Sequence, residues 1–421
     1  MRELKFVHTA DLHLDSPFVG LQEVDDRVAS ELREATFRTF ERIIDLCLER
    51  RADFLLVAGD IYDSQDRSLR AQLRFRDGLE RLSDAGIASF VVHGNHDPLN
   101  GWSAKLEWPE KAHIFGARGV TSVPMVRDEE TIAHVYGISY ATQDVRRNLA
   151  AKFRRTDDGP FAIGLLHCNV GDDTGHEPYA PCTLEDLTQV GMDYWALGHV
   201  HNHRILSPAG PAVVYPGNPQ GRNPRELGPR GCYVVDVDAG RHPTAEFVPM
   251  DTVRWFWESV PIEQLETDEA LVSAVEGVCQ RMREQAEGRP SLGRIRLTGR
   301  GPAHRSLVRE GFVTDLLESV RETQGGEDPF VWVERLEVGT RPQIDLEERR
   351  SGQDFVADFL GIVDGYREDP KLVDSLRTHL KPLFLSQRAH RLLDAPTDRE
   401  LWEWLEAAET LCLDLLTAED D

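Results

Sequence analysis

The segment LGHVHNH, residues 197–203, sets three histidines within seven residues and closes the apolar run YWALG. Two imidazoles at a two-residue spacing can share a metal ion. A hydrated polar turn would read the same, so the other polar blocks must decide. Four further apolar runs end in a similar way. KFVHTADLH (5–13) delivers Asp11 and His13, and DFLLVAGD (53–60) delivers Asp60, with Asp63 three residues on. SFVVHGNHD (89–97) delivers Asn95, His96 and Asp97, and FAIGLLH (161–167) ends at His167. Carboxylates, imidazoles and one amide mixed in this way suit first-row divalent ions such as Mn or Fe. D-x-H and G-D-x-x-D are weak signals alone. G-N-H-D is stronger, because Gly94 frees a tight turn and Asn95 is an unusual ligand. The ordered set is specific.

Something must aim these groups at one place. Apolar runs of this length read as buried strands. Alternate side chains of an extended chain share a face, so Asp11 and His13 are expected to share an ion, and His199 and His201 either do likewise or divide between two. Residues 26–50 carry Val28, Leu32, Phe40, Ile43, Ile44 and Cys47 at helical spacing. Strand, helix, strand at this rhythm predicts βαβ crossovers and a parallel sheet. Ligand sites in such sheets lie at the carboxyl ends of the strands, where all five polar blocks fall. VVYPGNPQGR (213–222), CYVVDV (232–237) and AEFVPM (245–250) close a first domain, 1–250. Between 251 and 345, VRWFWESV, GRIRLTG and FVWVERLEV read as strands. Helical stretches at 268–287 and 305–323 complete a small α+β domain. From 346 to 421 only helical patterns remain, with Leu372, Leu376 and Leu380 continuing one as far as Pro382. Phe355, Phe359 and Val363 mark one apolar face, and Leu401, Leu405, Ala408 and Cys412 another. Thr397 and Glu400 form a capping-box pattern ahead of the last helix.

At 421 residues the chain should hold two or three domains. The net charge of -25 repels polyanions at long range, so any nucleic-acid contact needs local basic patches. Gly288–Arg309 is one, with six arginines and no acid; Arg222, Arg225 and Arg230, against Glu226 alone, form another. Cys47, Cys168, Cys182, Cys232, Cys279 and Cys412 are scattered without a C-x-x-C pair, as expected of reduced cytosolic thiols. No apolar run approaches membrane-spanning length, no secretory signal is expected at the N-terminus, and no phosphate-binding P-loop occurs.

Taken in order, D-x-H, G-D-x-x-D, G-N-H-D, H and G-H-x-H resemble the signature blocks of calcineurin-like metallophosphoesterases. HTADLHLDSPF and YPGNPQGRNPRELGPRG resemble a narrower branch, the bacterial DNA-repair exonucleases of the SbcD and YhaO-like type. The likeness is firm over about 1–250, looser through RIRLTGRGPAHR, and only general in the final helices. It implies an α/β fold, a four-layer αββα sandwich, with the α+β segment as a cap and the helical tail as a partner-binding segment. It implies two divalent ions, Mn2+ foremost, with Mg2+ or Fe2+ as alternatives. Asp11, His13, Asp60 and His201 would hold one; Asp60, Asn95, His167 and His199 would hold the other, with Asp60 bridging. His96 would face the scissile phosphate and Asp97 would orient it. Some nucleases of the superfamily carry a histidine three residues after the bridging aspartate; here that position is Asp63, expected to accept a hydrogen bond behind the ligands.

The function so implied is that of a cytoplasmic, metal-dependent DNA nuclease subunit. It would work with an SMC-like coiled-coil ATPase of the SbcC type, docked on the C-terminal helices, and the resemblance is compatible with a homodimer. Arg222, Arg294, Arg296 and Arg300 are the expected DNA contacts. Two rivals are a metallophosphatase or phosphodiesterase acting on a small nucleotide or other phosphoester, and a scaffold without activity. The intact ligand set argues against the scaffold. The extra domain and tail argue for the nuclease, since a minimal phosphatase needs neither. His8 and His93 read as packed within strands or as groups behind the ligands, His176 as a loop residue, His203 as a solvated loop residue close to the site, and Cys168 as pointing away from it.

Overall fold

The computed structural model describes residues 3–18, 26–63, 68–156, 159–171, 177–343, 349–385 and 396–417; His176 lies outside them. Strands β1 (Leu4–Thr9), β2 (Phe54–Ala58), β3 (Ala88–Val92) and β4 (Ala112–Ile114) pair in parallel. Helices α1 (Asp26–Glu49) and α2 (Leu69–Asp84) connect the first three, the predicted crossovers. A second sheet contains β5 (Thr121–Arg127), β6 (Glu130–Gly137), β7 (Phe161–His167), β8 (Tyr194–Gly198), β9 (Arg204–Ser207) and β10 (Ala212–Tyr215), in the order β5-β6-β7-β8-β10-β9. The chain then returns to the first sheet as β11 (Gly231–Val237), antiparallel to β1, and β12 (Pro243–Pro249).

The two sheets face each other across one core. Phe6, Phe54, Leu56 and Phe90 of the first meet Val135, Ile163, Leu165, Tyr194 and Ala196 of the second. The outer face of the first sheet buries Phe37, Phe40, Ile43 and Ile44 of α1 and Phe75 and Leu79 of α2. Central strands covered on both sides are therefore apolar throughout, which is why they are legible as continuous runs. The fourth layer, over the second sheet, is thin. It comprises the 3-10 turn Ala150–Lys152, the short helix Leu184–Thr188 and loop residues such as Tyr140 and Phe153. The hairpin β5–β6 has no counterpart in the sequence reading. β5 is largely exposed and contains Pro124, so it has no clean apolar period, and its turn rests on the positive φ of Asp128 and Glu129.

His8 is fully buried in β1. Its Nε2–H donates to Leu197 O at 3.2 Å, and Nδ1 accepts from Tyr194 Oη at 3.1 Å, so the neutral ring is satisfied. Burial lowers its pKa to about 3, against the opposing Leu197 hydrogen bond. The unfolded chain binds this proton near pH 6.5 and the folded chain does not, so stability is fully present above 6.5 and falls as pH drops toward 3. Over the first two pH units below 6.5 the loss from this residue should be about 3 kcal/mol. His8→Gln should be less stable at neutral pH yet show a correspondingly shallower acid slope in urea denaturation. Parallel slopes would sink the assignment.

The chain divides into two compact units. One comprises Met1–Ser259, Val272–Arg296 and Val313–Glu337; the other comprises Val260–Leu271, Leu297–Phe312 and Val338–Asp421. Strands Arg254–Pro261, Ser291–Arg300 and Val331–Arg341 form a three-stranded sheet in that order. In the first unit, Trp255, Leu292, Phe330 and Trp332 share a core with Val28 and Leu32 of α1. In the second, helices Phe355–Glu368, Pro370–Leu385 and Asp398–Thr417 follow one another, the middle one running through Pro382. Thr397 and Glu400 form the expected reciprocal cap. Val356, Leu360 and Leu413 are buried together, with Phe359 and Leu416 against them, and Val363 and Leu401 are buried as well. Much of the apolar surface expected to await a partner is thus covered within the tail. Phe355, Ile362, Trp404, Leu411 and Leu415 stay exposed.

Candidate metal centre

The polar blocks follow the ends of β1, β2, β3, β7 and β8, and the strand register brings those ends level. Thr9 pairs with Val57, Ala58 with Val92, and His167 with Gly198. The β1–β2 pairing continues into the loops through Asp11 N–H to Gly59 O (3.0 Å) and His13 N–H to Asp60 O (3.1 Å). Asp11 and His13 do not alternate along an extended strand, as the spacing suggested. β1 ends at Thr9, and Asp11, His13, Asp60 and His199 have φ of 52°, 44°, 50° and 102°. Left-handed backbone at non-glycine residues is costly and persists where the surroundings over-determine it, commonly at functional sites. Gly94 corrects the reading in a different way. Its φ is ordinary, and what it provides is space: a Cβ there would lie 2.3 Å from Asp60 Oδ1.

The side chains converge. Ligand atoms of Asp11, His13 and His201 lie within 4.8 Å of one another, as do those of Asp11, Asp60 and His167. His13 Nε2 and His201 Nε2 are 3.3 Å apart. His167 Nε2 is 2.9 Å from Asn95 Oδ1 and 3.4 Å from Asp60 Oδ2, and the His199 ring lies beside that of His167, with centroids 5.2 Å apart. The two histidines of the opening motif therefore separate, His201 toward His13 and His199 toward His167. Asp11 is the carboxylate common to these two groups, a third group joins His13, Asp63 and His96, and the Asp11 oxygens also accept from His199 N–H at 3.0 and 3.1 Å.

Three of the imidazoles, those of His167, His199 and His201, are oriented by an oxygen on the far side. His167 Nδ1–H donates to Ala58 O (2.9 Å), and His199 Nε2–H donates to Glu177 O (2.8 Å). His201 Nδ1 is 2.7 Å from Glu226 Oε1, and His13 Nδ1 is 3.0 Å from Asp63 Oδ1. With those nitrogens carrying the protons, the opposite nitrogens of His201 and His167 present lone pairs toward the His13 ring and toward carboxylates. Lone pairs and carboxylates at such separations repel unless a cation lies among them, so the donor set fits divalent metal ions. The electrostatics agree. Burial, then the Asp60 charge, pushes the Asp11 carboxyl well above the usual carboxylate range. Burial, then the Arg222 charge, holds His13 well below the imidazole range, in the neutral form a ligand requires.

His96 differs from these rings. Its side chain is 40% exposed, whereas those of His13 and His167 are 0% exposed. Its Nδ1–H donates to Asp63 O at 2.9 Å, and its backbone N–H donates to Asp60 Oδ1 at 2.9 Å. Burial opposes a charged ring, but the Asp60 carboxylate and the Asp63 carbonyl outweigh it and raise His96 above the ordinary imidazole range. Asp97, expected to orient His96, is engaged elsewhere. Its carboxylate accepts from Ile61 N–H (3.0 Å) and Gly94 N–H (2.8 Å) and lies 2.9 Å from His93 Nδ1. It braces the turn that carries Asn95 and His96, and the contact on the His96 ring comes from Asp63 instead.

Among the arginines read as DNA contacts, Arg222 is buried and donates to Ser16 Oγ and Asp63 Oδ1, each at 2.8 Å. Arg294 pairs with Glu334 (2.9 Å) and Glu337 (3.5 Å), and Arg300 donates to Pro342 O. Arg296 is exposed. Basic spacing in a sequence does not reveal which acids fold back onto it. His203 stacks on Phe247 at 4.0 Å. Cys168 is buried behind the site with its Sγ 3.9 Å from Cys182 Sγ, and burial holds its thiol well above the usual range. Sequence reasoning missed Glu226 as a partner of His201; its one signal was an acid alone among three arginines.

Residues 4–203 match the family model of calcineurin-like phosphoesterases, and residues 255–341 match that of the middle domain of the metallophosphoesterase YhaO. The chain is 38% identical over 346 residues to the uncharacterized metallophosphoesterase YhaO of Bacillus subtilis, covering 82% of this chain and 84% of that protein. It is 28% identical over 227 residues to the DNA double-strand break repair protein Mre11 of Aeropyrum pernix, covering 51% and 53% of the two chains. To Mre11 of Haloferax volcanii it is 27% identical over 284 residues, covering 66% and 58%.

Proposed function

The chain belongs to the calcineurin-like metallophosphoesterase family, and on that premise we propose that it is a metal-dependent DNA nuclease that hydrolyses phosphodiester bonds. The observation that carries the hydrolytic part is the convergence of Asp11, His13, Asp60, Asn95, His167, His199 and His201 on one place. These residues would hold two divalent ions, Mn2+ foremost, which when bound would lower the pKa of water and neutralise charge on a phosphoryl group. Asp60 is assigned as the bridging carboxylate. His96, half-buried at the edge of the cluster with its pKa raised, is proposed to protonate the leaving oxygen. The likeness to Mre11 proteins supports DNA as the substrate.

A small-phosphoester hydrolase is the second reading. It is favoured by the net charge of -25 and by the internal engagement of Arg222, Arg294 and Arg300. Plasmid and linear DNA, assayed with Mn2+ beside a chromogenic phosphodiester, separate the two. The nuclease reading expects processive loss of DNA; turnover of the chromogenic ester alone would overturn it. In the nuclease, Arg296→Glu should weaken DNA binding and lower its salt slope by about one, because one phosphate contact is lost, with small-ester turnover unchanged. Equal damage to both substrates would indicate misfolding.

The tail is proposed to dock an SMC-like coiled-coil ATPase by helix-in-groove burial, steered by nine acids against one base between Asp398 and Asp421. No described helix is long and apolar enough to cross a membrane. Because Phe359, Val363 and Leu401 are already packed, the contact falls to Ile362, Leu411 and Leu415. Replacing these three exposed residues by glutamate should abolish co-purification with the ATPase and leave small-ester hydrolysis intact. Retained association would refute the docking surface.

A further inference from the structure

We propose that Glu226 is a positioning residue that fixes the tautomer of His201, so that Nε2 offers a lone pair to the site; this rests on the two-ion reading above. His201 Nδ1 lies 2.7 Å from Glu226 Oε1. The other carboxylate oxygen, Oε2, receives Arg222 N–H at 2.7 Å and Asn218 Nδ2–H at 2.9 Å. Both are donors without ambiguity. A backbone N–H can only donate, and the Asn218 amide cannot be reversed, because its Oδ1 accepts from Arg230 NH1 at 2.9 Å. An arginine has no acceptor to offer in exchange.

Two donors on one oxygen, in a residue 5% exposed, call for an acceptor there. The Arg222 guanidinium lies 3.9 Å from Oε1 and favours the charged carboxylate, so Oε1 is an acceptor as well. His201 Nδ1 must then be the protonated nitrogen. Its backbone is held by the same segment: Asn218 N–H and the Arg230 guanidinium both donate to His201 O. Gly217 packs so closely that a Cβ would lie 2.5 Å from that oxygen. The segment 217–230 is therefore a cradle for one ligand, although it had read as a basic patch.

The argument predicts an inversion. In Glu226→Gln the amide oxygen must face the two donors at the Oε2 position. The amide NH2 is then left against His201 Nδ1, which becomes the acceptor, and the proton moves to Nε2. A protonated Nε2 cannot bind a cation. Partners of this kind typically contribute 10–100-fold to metal affinity.

Two measurements on the 421-residue chain decide the matter. The first is a long-range 1H–15N correlation spectrum of 15N-histidine-labelled protein after chelator treatment, with His201 assigned by comparison with His201→Gln. The expected result is protonated Nδ1 in the wild type and protonated Nε2 in Glu226→Gln. Protonated Nε2 in the wild type, or no change in the variant, overturns the proposal. Should the variant fail to fold, the wild-type spectrum still decides. The second is Mn2+ titration by calorimetry. The wild type should bind two ions, and Glu226→Gln should bind one of them about 10–100-fold more weakly. Fewer than two ions on the wild type would defeat the two-ion reading while the spectrum still judges Glu226. Two ions of unchanged affinity in the variant would defeat the Glu226 proposal alone.

Discussion

Asp60→Ala should leave fewer than two ions per chain and lower phosphodiester hydrolysis by about 10³-fold or more. The magnitude follows from Lewis-acid stabilisation worth several kcal/mol, at about 1.4 kcal/mol for each tenfold in rate. Asp60 is 1% exposed and held in left-handed backbone. One oxygen receives His96 N–H, and the other lies 3.4 Å from His167 Nε2. Its loss removes a ligand and releases the turn bearing His96. Asp60→Asn keeps an acceptor for His96 N–H but loses the charge, so it should fold normally and still bind metal poorly. Because Asp11 is common to two of the ligand groups, Asp11→Ala is the informative comparison. The bridging residue is the one whose loss empties both sites. Metal analysis showing two ions per chain in Asp60→Ala would refute its assignment as the bridge.

His96→Ala should do the opposite with metal: two ions retained, with turnover down by about 10²–10⁴-fold, the usual range for a lost proton donor. The ring touches Asp63 O and stands more open to solvent than the buried imidazoles. As an acid it acts when protonated, so activity should fall as pH rises through its pKa. His96→Ala should lose that alkaline limb. Its deficit should also be smaller on an ester whose leaving group departs as a stable anion, because such a group needs no proton. Loss of metal together with activity would mean that His96 is a ligand. An equal deficit on both ester types would mean that it stabilises charge without transferring a proton.

Local sequence determined the strands and the first two helices, because strands covered on both faces must be apolar along their length and amphipathic helices must repeat every 3.6 residues. It also determined which residues end those strands, and so the content of the candidate ligand set. The hairpin from 121 to 137 was illegible because its exposed strand has no need of an apolar face. The aim of each ligand was likewise hidden. Two-residue spacing suggested strand alternation, whereas φ values of 52° at Asp11 and 44° at His13 turn both side chains into the site, a conformation imposed by hydrogen bonds to Gly59 and Asp60 in the neighbouring strand's loop. The split of His199 from His201, the transfer of the His96 contact from Asp97 to Asp63, and the pairing of Arg294 with Glu334 depend on residues tens of positions apart or more. Glu226, 25 residues from His201, looked like a flaw in a basic patch. Sequence sets which groups are available, because composition and period are local; only the fold sets which donor meets which acceptor, because burial forces each polar atom to find a partner wherever the chain returns.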